Sequence, residues 1–187
     1  MGYHTDFEGE WTIEPPLTPA HRAYLSEFAQ TDHVYYDVAK VSKLPDPLRI
    51  AVGLPLGEGG CFFTGLQVPG PAFTPEGIEL QGRTPRLSEI RADESVGRGH
   101  PGGQPGYWCQ WVPNADGTEL SWDGGDKFYE YVEWIEYLVE TFFTPWGYTL
   151  SGEVEWFGED RADHGKIEII DNNQIIVYHA RIEWDVV

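Results

Sequence analysis

Six of the eight tryptophans lie between residues 108 and 156, and this clustering constrains the fold more than any other feature. They are Trp108, Trp111, Trp122, Trp134, Trp146 and Trp156. A tryptophan side chain buries about 150–250 Å² when it enters a core. A chain of 187 residues is long enough to form one domain, 1–187, around a sizeable core. The sequence therefore predicts that this stretch holds the core.

Apolar residues recur at helical spacing after the first of these tryptophans. The stripe consists of Phe128, Val132, Ile135, Val139 and Phe142, which step by four, three, four and three positions. Asp123 precedes the stripe as a predicted N-cap, and Pro145 follows it. We therefore expect one long amphipathic helix over about 125–143. A shorter apolar pattern predicts a second helix over about 19–30.

Six segments are predicted to be strands, and in 3–14, 148–157 and 174–184 the two faces follow a period of two. The six segments are 3–14, 107–112, 119–122, 148–157, 166–170 and 174–184. Strands joined by tight turns pair antiparallel, so 148–157 is expected to pair with 166–170, and 166–170 with 174–184. The predicted fold class is α+β, an antiparallel sheet with both helices packed on it.

The segment 45–106 differs from the rest of the chain because it holds 13 glycines and 9 prolines. We interpret it as a long Gly/Pro-rich excursion from the domain, with one short strand at Cys61-Phe62-Phe63. Its 88–103 stretch is expected to be the most mobile internal part. Cys61 and Cys109 are expected to be free thiols, because a reducing compartment disfavours the alternative, a disulfide between them.

The chain carries 31 acidic and 12 basic residues, a formal net charge of −19. Binding to a phosphate backbone depends on clustered Lys and Arg, so no direct nucleic-acid partner is expected. The chain has no apolar run of transmembrane length, and its N-terminus lacks the basic and apolar regions of a signal peptide. We therefore expect a cytoplasmic protein with no membrane partner. Its charge serves solubility, or it suits a basic protein partner.

The predicted outer face of the long helix carries the candidate partner-binding residues. They are Tyr129, Glu130, Glu133, Glu136, Tyr137 and Glu140. No Lys or Arg on that face stands three or four positions from these glutamates, and like charges at such spacings destabilise a helix by a few tenths of a kcal/mol. The face is either merely solvated or a tyrosine-and-glutamate patch that meets a basic partner.

Other chemically capable residues show no diagnostic spacing. A carboxylate-rich group, of the kind that Ca²⁺ or Mg²⁺ prefers, comprises Glu153, Glu155, Glu159, Asp160 and Asp163. Its spacing does not match an EF-hand, and the six histidines lack the HxH or HExxH spacing of zinc sites. His4 and His179 would approach each other only if their strands were neighbours. We expect no catalytic residue, metal or cofactor.

Several motifs resemble a known family. They are GQPGYWCQWVP at 103–113, WDGGDKFY at 122–129, PWGY at 145–148 and GEVEW at 152–156. These motifs resemble a family of uncharacterised proteins encoded by bacteria, notably actinomycetes, and by their phages. The resemblance covers about two thirds of the chain and implies no activity.

Three kinds of function fit these observations. The leading hypothesis is a non-catalytic protein whose acidic surface engages a basic partner, in the manner of an inhibitor or a DNA mimic. The second is a small-molecule or carbohydrate binder that uses exposed tryptophans and polar residues such as Gln104 and Gln110. The third is a hydrolase with carboxylates at the edge of 45–106. An aromatic-lined cleft beside that segment would favour the second or the third.

Overall fold

The computed structural model describes residues 2–65, 86–93, 99–170 and 173–181. Its strands are β1 (Thr5–Glu14), β2 (Trp111–Pro113), β3 (Glu119–Trp122), β4 (Thr149–Gly158), β5 (His164–Ile170) and β6 (Gln174–His179). Its α-helices are α1 (Pro19–Ala29), α2 (Val38–Val41), α3 (Pro47–Ala51), α4 (Leu87–Ile90) and α5 (Tyr131–Leu138). The chain divides into two compact units, Met1–Thr18 with Gln110–Val187, and Pro19–Cys109. The single domain predicted for 1–187 stays a prediction.

The first unit contains a six-stranded antiparallel sheet with the strand order β2-β3-β1-β4-β5-β6. The α+β class is therefore confirmed. The predicted hairpin forms between β2 and β3, and both predicted meander pairs form, β4 with β5 and β5 with β6. Residues 182–184 of the predicted last strand lie outside the described residues. Because β1 inserts between β3 and β4, it pairs with two strands more than a hundred residues away.

The inner face of the sheet is an aromatic core. The ring of Phe7 lies 4.9–5.7 Å, between centroids, from the rings of four other aromatic residues, Trp111, Trp122, Phe128 and Tyr131. Helix α5 is joined to this core, since Trp111 Nε1 donates to the Tyr131 carbonyl at 2.9 Å. The predicted tryptophan-rich core is confirmed for Trp111, Trp134 and Trp156, whereas Trp108 is 47% exposed.

Two tryptophans of the inner face lie opposite glycines in the neighbouring strand. Trp11 pairs with Gly152, and Trp156 pairs with Gly165. A Cβ atom at Gly165 would lie 2.3 Å from the Trp156 ring, so the ring occupies the space that a side chain would need. The Trp11 indole crosses β4 and donates from Nε1 to the Ile167 carbonyl of β5 at 3.4 Å. Such aromatic–glycine pairs fix the strand register.

The long helix begins later than the sequence predicts. Helix α5 starts at Tyr131 instead of near residue 125, and it continues as a π-helical turn over Val139–Phe143. Lys127 and Glu130 adopt left-handed backbone conformations, with φ of 58° and 54°, which a helix cannot accommodate. The Asp123 carboxylate accepts from Gly125 N at 2.7 Å and so closes a turn instead of capping the helix. None of the described helices is long and apolar enough to span a membrane.

The predicted apolar stripe packs into the core although the helix is shorter. Phe128, Ile135, Val139 and Phe142 are buried, and Val132 is half-buried. Phe128 precedes the helix, and its ring still lies 5.1 Å from that of Trp111. The burial expected for these residues is therefore confirmed for four of the five.

In its described residues, the second unit contains the helices α1 to α4 and a cluster of buried residues of its own. That cluster is Val34, Tyr36, Val41, Phe63 and Ile90. Helix α1 forms where a helix over 19–30 was predicted, and it is grouped with this unit instead of with the sheet. The strand predicted at residues 61–63 is wrong, because turn bonds from Cys61 N to the Glu58 carbonyl and from Phe63 N to the Gly60 carbonyl shape that stretch.

The segment 45–106 contributes to this second unit. Its described parts carry α3 and α4, and Phe63 and Ile90 from it join the buried cluster. Both cysteines are free, as predicted, and both are buried. The mobility predicted for 88–103 falls in part on residues 94–98, which lie outside the described residues.

Candidate functional site

The outer face of the sheet carries all the acidic residues of β1, β3, β4 and β5. We call these residues the acidic sheet face: Asp6, Glu8, Glu10, Glu14, Glu119, Glu153, Glu155 and Glu168. Strand alternation produces this face, because the odd-numbered residues of β1 and the even-numbered residues of β4 point into the core. The aromatic core on one side therefore places these carboxylates together on the other.

Several of these carboxylates lie directly opposite one another in neighbouring strands. Glu8 pairs with Glu155, and Glu10 pairs with Glu153, which in turn pairs with Glu168. Opposed residues have Cβ atoms about 4.5–5.5 Å apart, and like charges at that distance are destabilising. The sheet thus holds a row of three glutamates across β1, β4 and β5 that a stability-driven arrangement would avoid.

Basic side chains on this face are few. On the described strands they are Lys166 and His164, both from β5. Lys166 Nζ lies 2.7 Å from a Glu153 carboxylate oxygen and 4.0 Å from one of Glu168, and the bond to Glu153 raises the pKa of Lys166. His164 Nε2 lies 3.3 Å from a Glu155 oxygen. One lysine against eight carboxylates leaves seven negative charges on the face when His164, and the His4 that contacts Asp6, are neutral.

Apolar residues border the acidic sheet face at its β5–β6 end. Tyr178 is 43% exposed, Ile170 is 36% exposed, and Ile176 is half-buried. Lys166 Nζ lies 5.0 Å from the centre of the Tyr178 ring. A hollow of about 260 Å³ adjoins this ring. The exposed tyrosine is of a residue type that is enriched at protein interfaces, and the carboxylates give this surface its negative charge.

The helix face predicted from the sequence is only partly formed. Glu133, Glu136 and Glu140 are exposed along the helix. Partial burial raises the pKa of Glu136, and the charges of Glu133 and Glu140 add to that effect. Tyr129 and Glu130 are exposed but precede the first helical residue. The acidic part of the predicted patch therefore reaches solvent.

Tyr137 does not lie on that exposed face, so this part of the prediction is wrong. Its side chain is buried, with its ring 5.7 Å from Trp134 and 6.0 Å from Phe142 between centroids. The apolar side of the helix is wider than predicted, because Trp134 is buried as well.

The carboxylate cluster near residue 160 forms internal bonds. Asp163 accepts from the Tyr3 hydroxyl at 2.7 Å and from Trp156 Nε1 at 3.0 Å. Glu159 accepts from the backbone N–H of His4 at 3.0 Å. Across the described part of the chain, no group of three or more His, Cys, Asp or Glu side chains could hold a metal ion. These carboxylates fasten the N-terminus to the β4–β5 turn.

His4 is held between two carboxylates. Its Nδ1 lies 2.9 Å from an Asp126 oxygen, and its Nε2 lies 3.0 Å from an Asp6 oxygen. These contacts, with Asp6 first, raise the pKa of His4, and the bond to His4 lowers the pKa of Asp126. His179 is remote from His4 in the sheet, because β4 and β5 separate β1 from β6.

We expect an NMR titration to place the pKa of His4 above 6.5, and Asp126→Asn to lower it. Because the folded-state pKa is raised, the contact stabilises the fold below pH 6.5 and is lost as the pH rises through the folded-state value. His21 is the internal control, since burial lowers its pKa and Asp126→Asn leaves it unchanged. An unchanged pKa of His4 in the variant would contradict this geometry.

A pocket of about 590 Å³ lies in the second unit. It is lined by Tyr35, Tyr36, Asp37, Val38, Ala39, Glu58, Gly59, Ala92 and Asp93. This lining includes two tyrosines and three acidic residues, contributed by the loop before α2, by residues 58–59 and by the residues that follow α4. It is thus an aromatic-lined cleft beside the segment 45–106, of a volume that suits a small molecule.

The two glutamines expected to bind a ligand, Gln104 and Gln110, form hydrogen bonds within the protein. Gln104 is buried and donates from Nε2 to the Cys61 carbonyl at 2.8 Å. Gln110 donates to the Asp126 carbonyl at 3.0 Å and accepts from Trp122 Nε1 at 3.0 Å. Neither lines the pocket of the second unit.

A buried carboxylate stands at the start of the segment 45–106. Asp46 is held by Arg49 Nε at 2.6 Å and by the Thr64 hydroxyl at 3.0 Å. Burial raises the pKa of Glu27, and the charge of Asp46 adds to that effect. The Asp46 carboxylate is already bonded to Arg49 and Thr64, so it joins the two ends of the loop between residues 46 and 64.

Sequence reasoning identified the acidic residues of β1 and β4 as the polar faces of two strands but did not unite them. Their approach depends on the insertion of β1 next to β4, which local patterns do not encode. No family model matches the chain, and neither the curated proteins nor the solved structures contain a significant match to it.

Proposed function

We propose that the protein is a non-catalytic binding protein that engages a basic partner through the acidic sheet face. The observation that carries this proposal is the row Glu10, Glu153 and Glu168, in which three carboxylates lie opposite one another on adjacent strands. Lys166 lies against Glu153 and near Glu168 and offsets part of the repulsion in this row, so one ammonium faces three carboxylates. A partner that places Lys or Arg side chains between the strands would turn this repulsion into attraction.

The charge of the face would also act before contact. Electrostatic complementarity steers the encounter of two proteins and raises the association rate, and this effect weakens with salt. Tyr178 would add buried area once the partner is docked. An inhibitor that covers a basic surface, or a mimic that covers the nucleic-acid-binding surface of another protein, would work in this way.

The helix face is the second place where such a partner could dock. Its proposed contacts are Tyr129, Glu130, Glu133, Glu136, Tyr137 and Glu140, as the sequence predicts. The buried Tyr137 removes one of its two aromatic contacts. Each face keeps one exposed tyrosine, Tyr178 or Tyr129, but the acidic sheet face has eight carboxylates against four, so we propose the site there.

A pair of double variants with equal charge separates the two faces. Glu10→Lys with Glu153→Lys changes the sheet face, and Glu133→Lys with Glu136→Lys changes the helix face. Each Glu→Lys adds two positive charges, so both variants carry −15 instead of −19. In affinity capture from a cell lysate, basic proteins retained by the wild type are expected to fall about tenfold or more on the sheet variant, about 1.4 kcal/mol. The helix variant is expected to retain them.

Melting temperatures of both variants establish that each is folded. The wild-type interaction is expected to weaken when ionic strength rises from about 0.1 M to about 1 M, because the Debye length shortens from about 10 Å to about 3 Å. Loss on the helix variant alone would move the site to α5. Equal retention by both variants would refute a charge-driven site on either face.

The pocket of the second unit supports a second candidate function, the binding of a small molecule or carbohydrate. The observation that favours it is that Tyr35 and the acidic residues Asp37, Glu58 and Asp93 line one cavity of about 590 Å³. Such a lining suits a cationic or hydroxyl-rich ligand, because carboxylates accept hydrogen bonds and the ring offers a flat apolar surface. This candidate takes the lead if both charge variants capture the same proteins as the wild type.

A further inference from the structure

The two edge strands of the sheet, β2 and β6, differ in how well they are protected against pairing with another strand. Strand β2 is three residues long and ends in Pro113, and short length and proline both discourage pairing with another chain. Strand β6 has six residues, Gln174 to His179, with no Asp, Glu, Lys, Arg or Pro among them. An edge of this length and composition is a template for a further strand.

The backbone groups that such a strand would use can be assigned from the register. Ala180 N donates to the His164 carbonyl of the facing strand at 2.8 Å. In an antiparallel pair, hydrogen-bonded and non-hydrogen-bonded positions alternate. The N–H and C=O groups of Ile175, Val177 and His179 therefore point away from β5. Among the strands of the described residues, none pairs with that side of β6.

We infer that this edge receives an extended segment of the basic partner as a seventh strand, an inference that rests on the proposed function. Charge complementarity selects the segment. Side chains of the added strand on the outer face would lie beside Ile176 and Tyr178, with Glu168 one strand further in, about 10 Å away. A Lys or Arg there would lay its apolar stem on Ile176 and Tyr178 and extend its charge toward Glu168.

Lys166 already shows this mode of contact within the chain. Its ammonium lies over the Tyr178 ring while it reaches a Glu153 carboxylate in the next strand at 2.7 Å. On the inner face, the added strand would meet Ile175 and Val177, which are half-buried. The segment is therefore one in which basic residues alternate with β-branched apolar residues.

A second copy of the chain fits this edge less well. Each copy carries a net charge of −19, and β6 offers no Lys or Arg to meet the Glu168 of a symmetry mate. Pairing two β6 strands would join two acidic faces into one surface. A basic segment is attracted by the acidic sheet face, whereas a second copy is repelled by it.

The probe for this inference is the synthetic peptide acetyl-(Lys-Val)₄-amide, titrated against the full chain at low salt. We expect it to bind the wild type at least tenfold more tightly than the same peptide methylated on every backbone nitrogen, which has equal charge but no N–H donors. Hydrogen exchange at Ile175, Val177 and His179 is expected to slow at least tenfold in the complex. Val177→Pro, which removes an outward N–H, is expected to weaken binding at least tenfold.

Each other result overturns the inference in a recognisable way. No binding of the Lys-Val peptide, or equal binding of the methylated peptide, would refute strand addition and leave the charge-reversal test of the proposed function intact. A wild-type dimer in sedimentation that Val177→Pro converts to a monomer would assign the edge to a second copy. The exchange measurement uses the wild type, so it decides the matter even if Val177→Pro lowers the melting temperature.

Discussion

Replacing Trp11 by alanine is expected to lower the free energy of unfolding by about 3–5 kcal/mol, the range for removal of a large buried aromatic side chain. Trp11 is fully buried, and its ring packs edge-on against Trp111 with 4.8 Å between centroids. The substitution also removes the hydrogen bond to the Ile167 carbonyl, so it loosens β1, β4 and β5 together. Urea denaturation followed by tryptophan fluorescence measures the loss.

The control for this variant is Thr12→Ala. Thr12 is the next residue in β1 and is exposed on the outer face. Its replacement is expected to change the free energy of unfolding by no more than about 0.5 kcal/mol, as for other surface positions. A loss below about 1 kcal/mol for Trp11→Ala would contradict its place at the centre of the core.

The sheet was largely predictable because most of its strands can be recognised from local sequence patterns. Residues 5–14 alternate between buried and exposed positions, and the two turns of the meander fix β4, β5 and β6 as neighbours. The position of β1 was not predictable. Its contacts with β3 and β4 are set by aromatic packing across the sheet, and nothing within ten residues of β1 specifies those partners.

The helix was predicted in place but not in length, for a physical reason. The apolar period from Phe128 to Phe142 is helical, and Phe128 is buried as that period requires. Yet Lys127 and Glu130 adopt left-handed conformations that bring the Phe128 ring to the core from an irregular stretch. The spacing of apolar residues predicts which side chains are buried, but it does not predict the backbone conformation of the residues that carry them.

The sequence predicts which residues of the candidate site face outward, but it does not predict how they are paired across the sheet. Alternation identifies Glu8 and Glu10 as outward-facing, and it does the same for Glu153 and Glu155. Whether two such pairs repel each other depends on register, which comes from the opposed Trp11 and Gly152 on the other face. The tryptophan–glycine pairs of the core thus set the geometry of the carboxylates outside it.

Gly165→Ala is expected to destabilise the protein by about 3 kcal/mol, the upper end for overpacking a filled site. A Cβ at this position would lie 2.2 Å from the Tyr178 carbonyl and 2.3 Å from the Trp156 ring. The carbonyl belongs to the backbone of β6, so relief requires the β5–β6 pair to separate. Hydrogen exchange in β6 is therefore expected to accelerate along with the drop in stability.

The matched control for Gly165→Ala is Gly147→Ala. Gly147 has a φ of +80°, so alanine is strained there, but no atom lies within 4 Å of its added Cβ. Its cost is expected to be about 1 kcal/mol, from backbone strain alone. Gly165 has no such φ, so its larger loss would measure contact with Trp156 and β6. Equal losses of stability at the two sites would show that β5 and β6 move apart to accept the added Cβ. That result would contradict the rigid β6 edge on which strand addition depends.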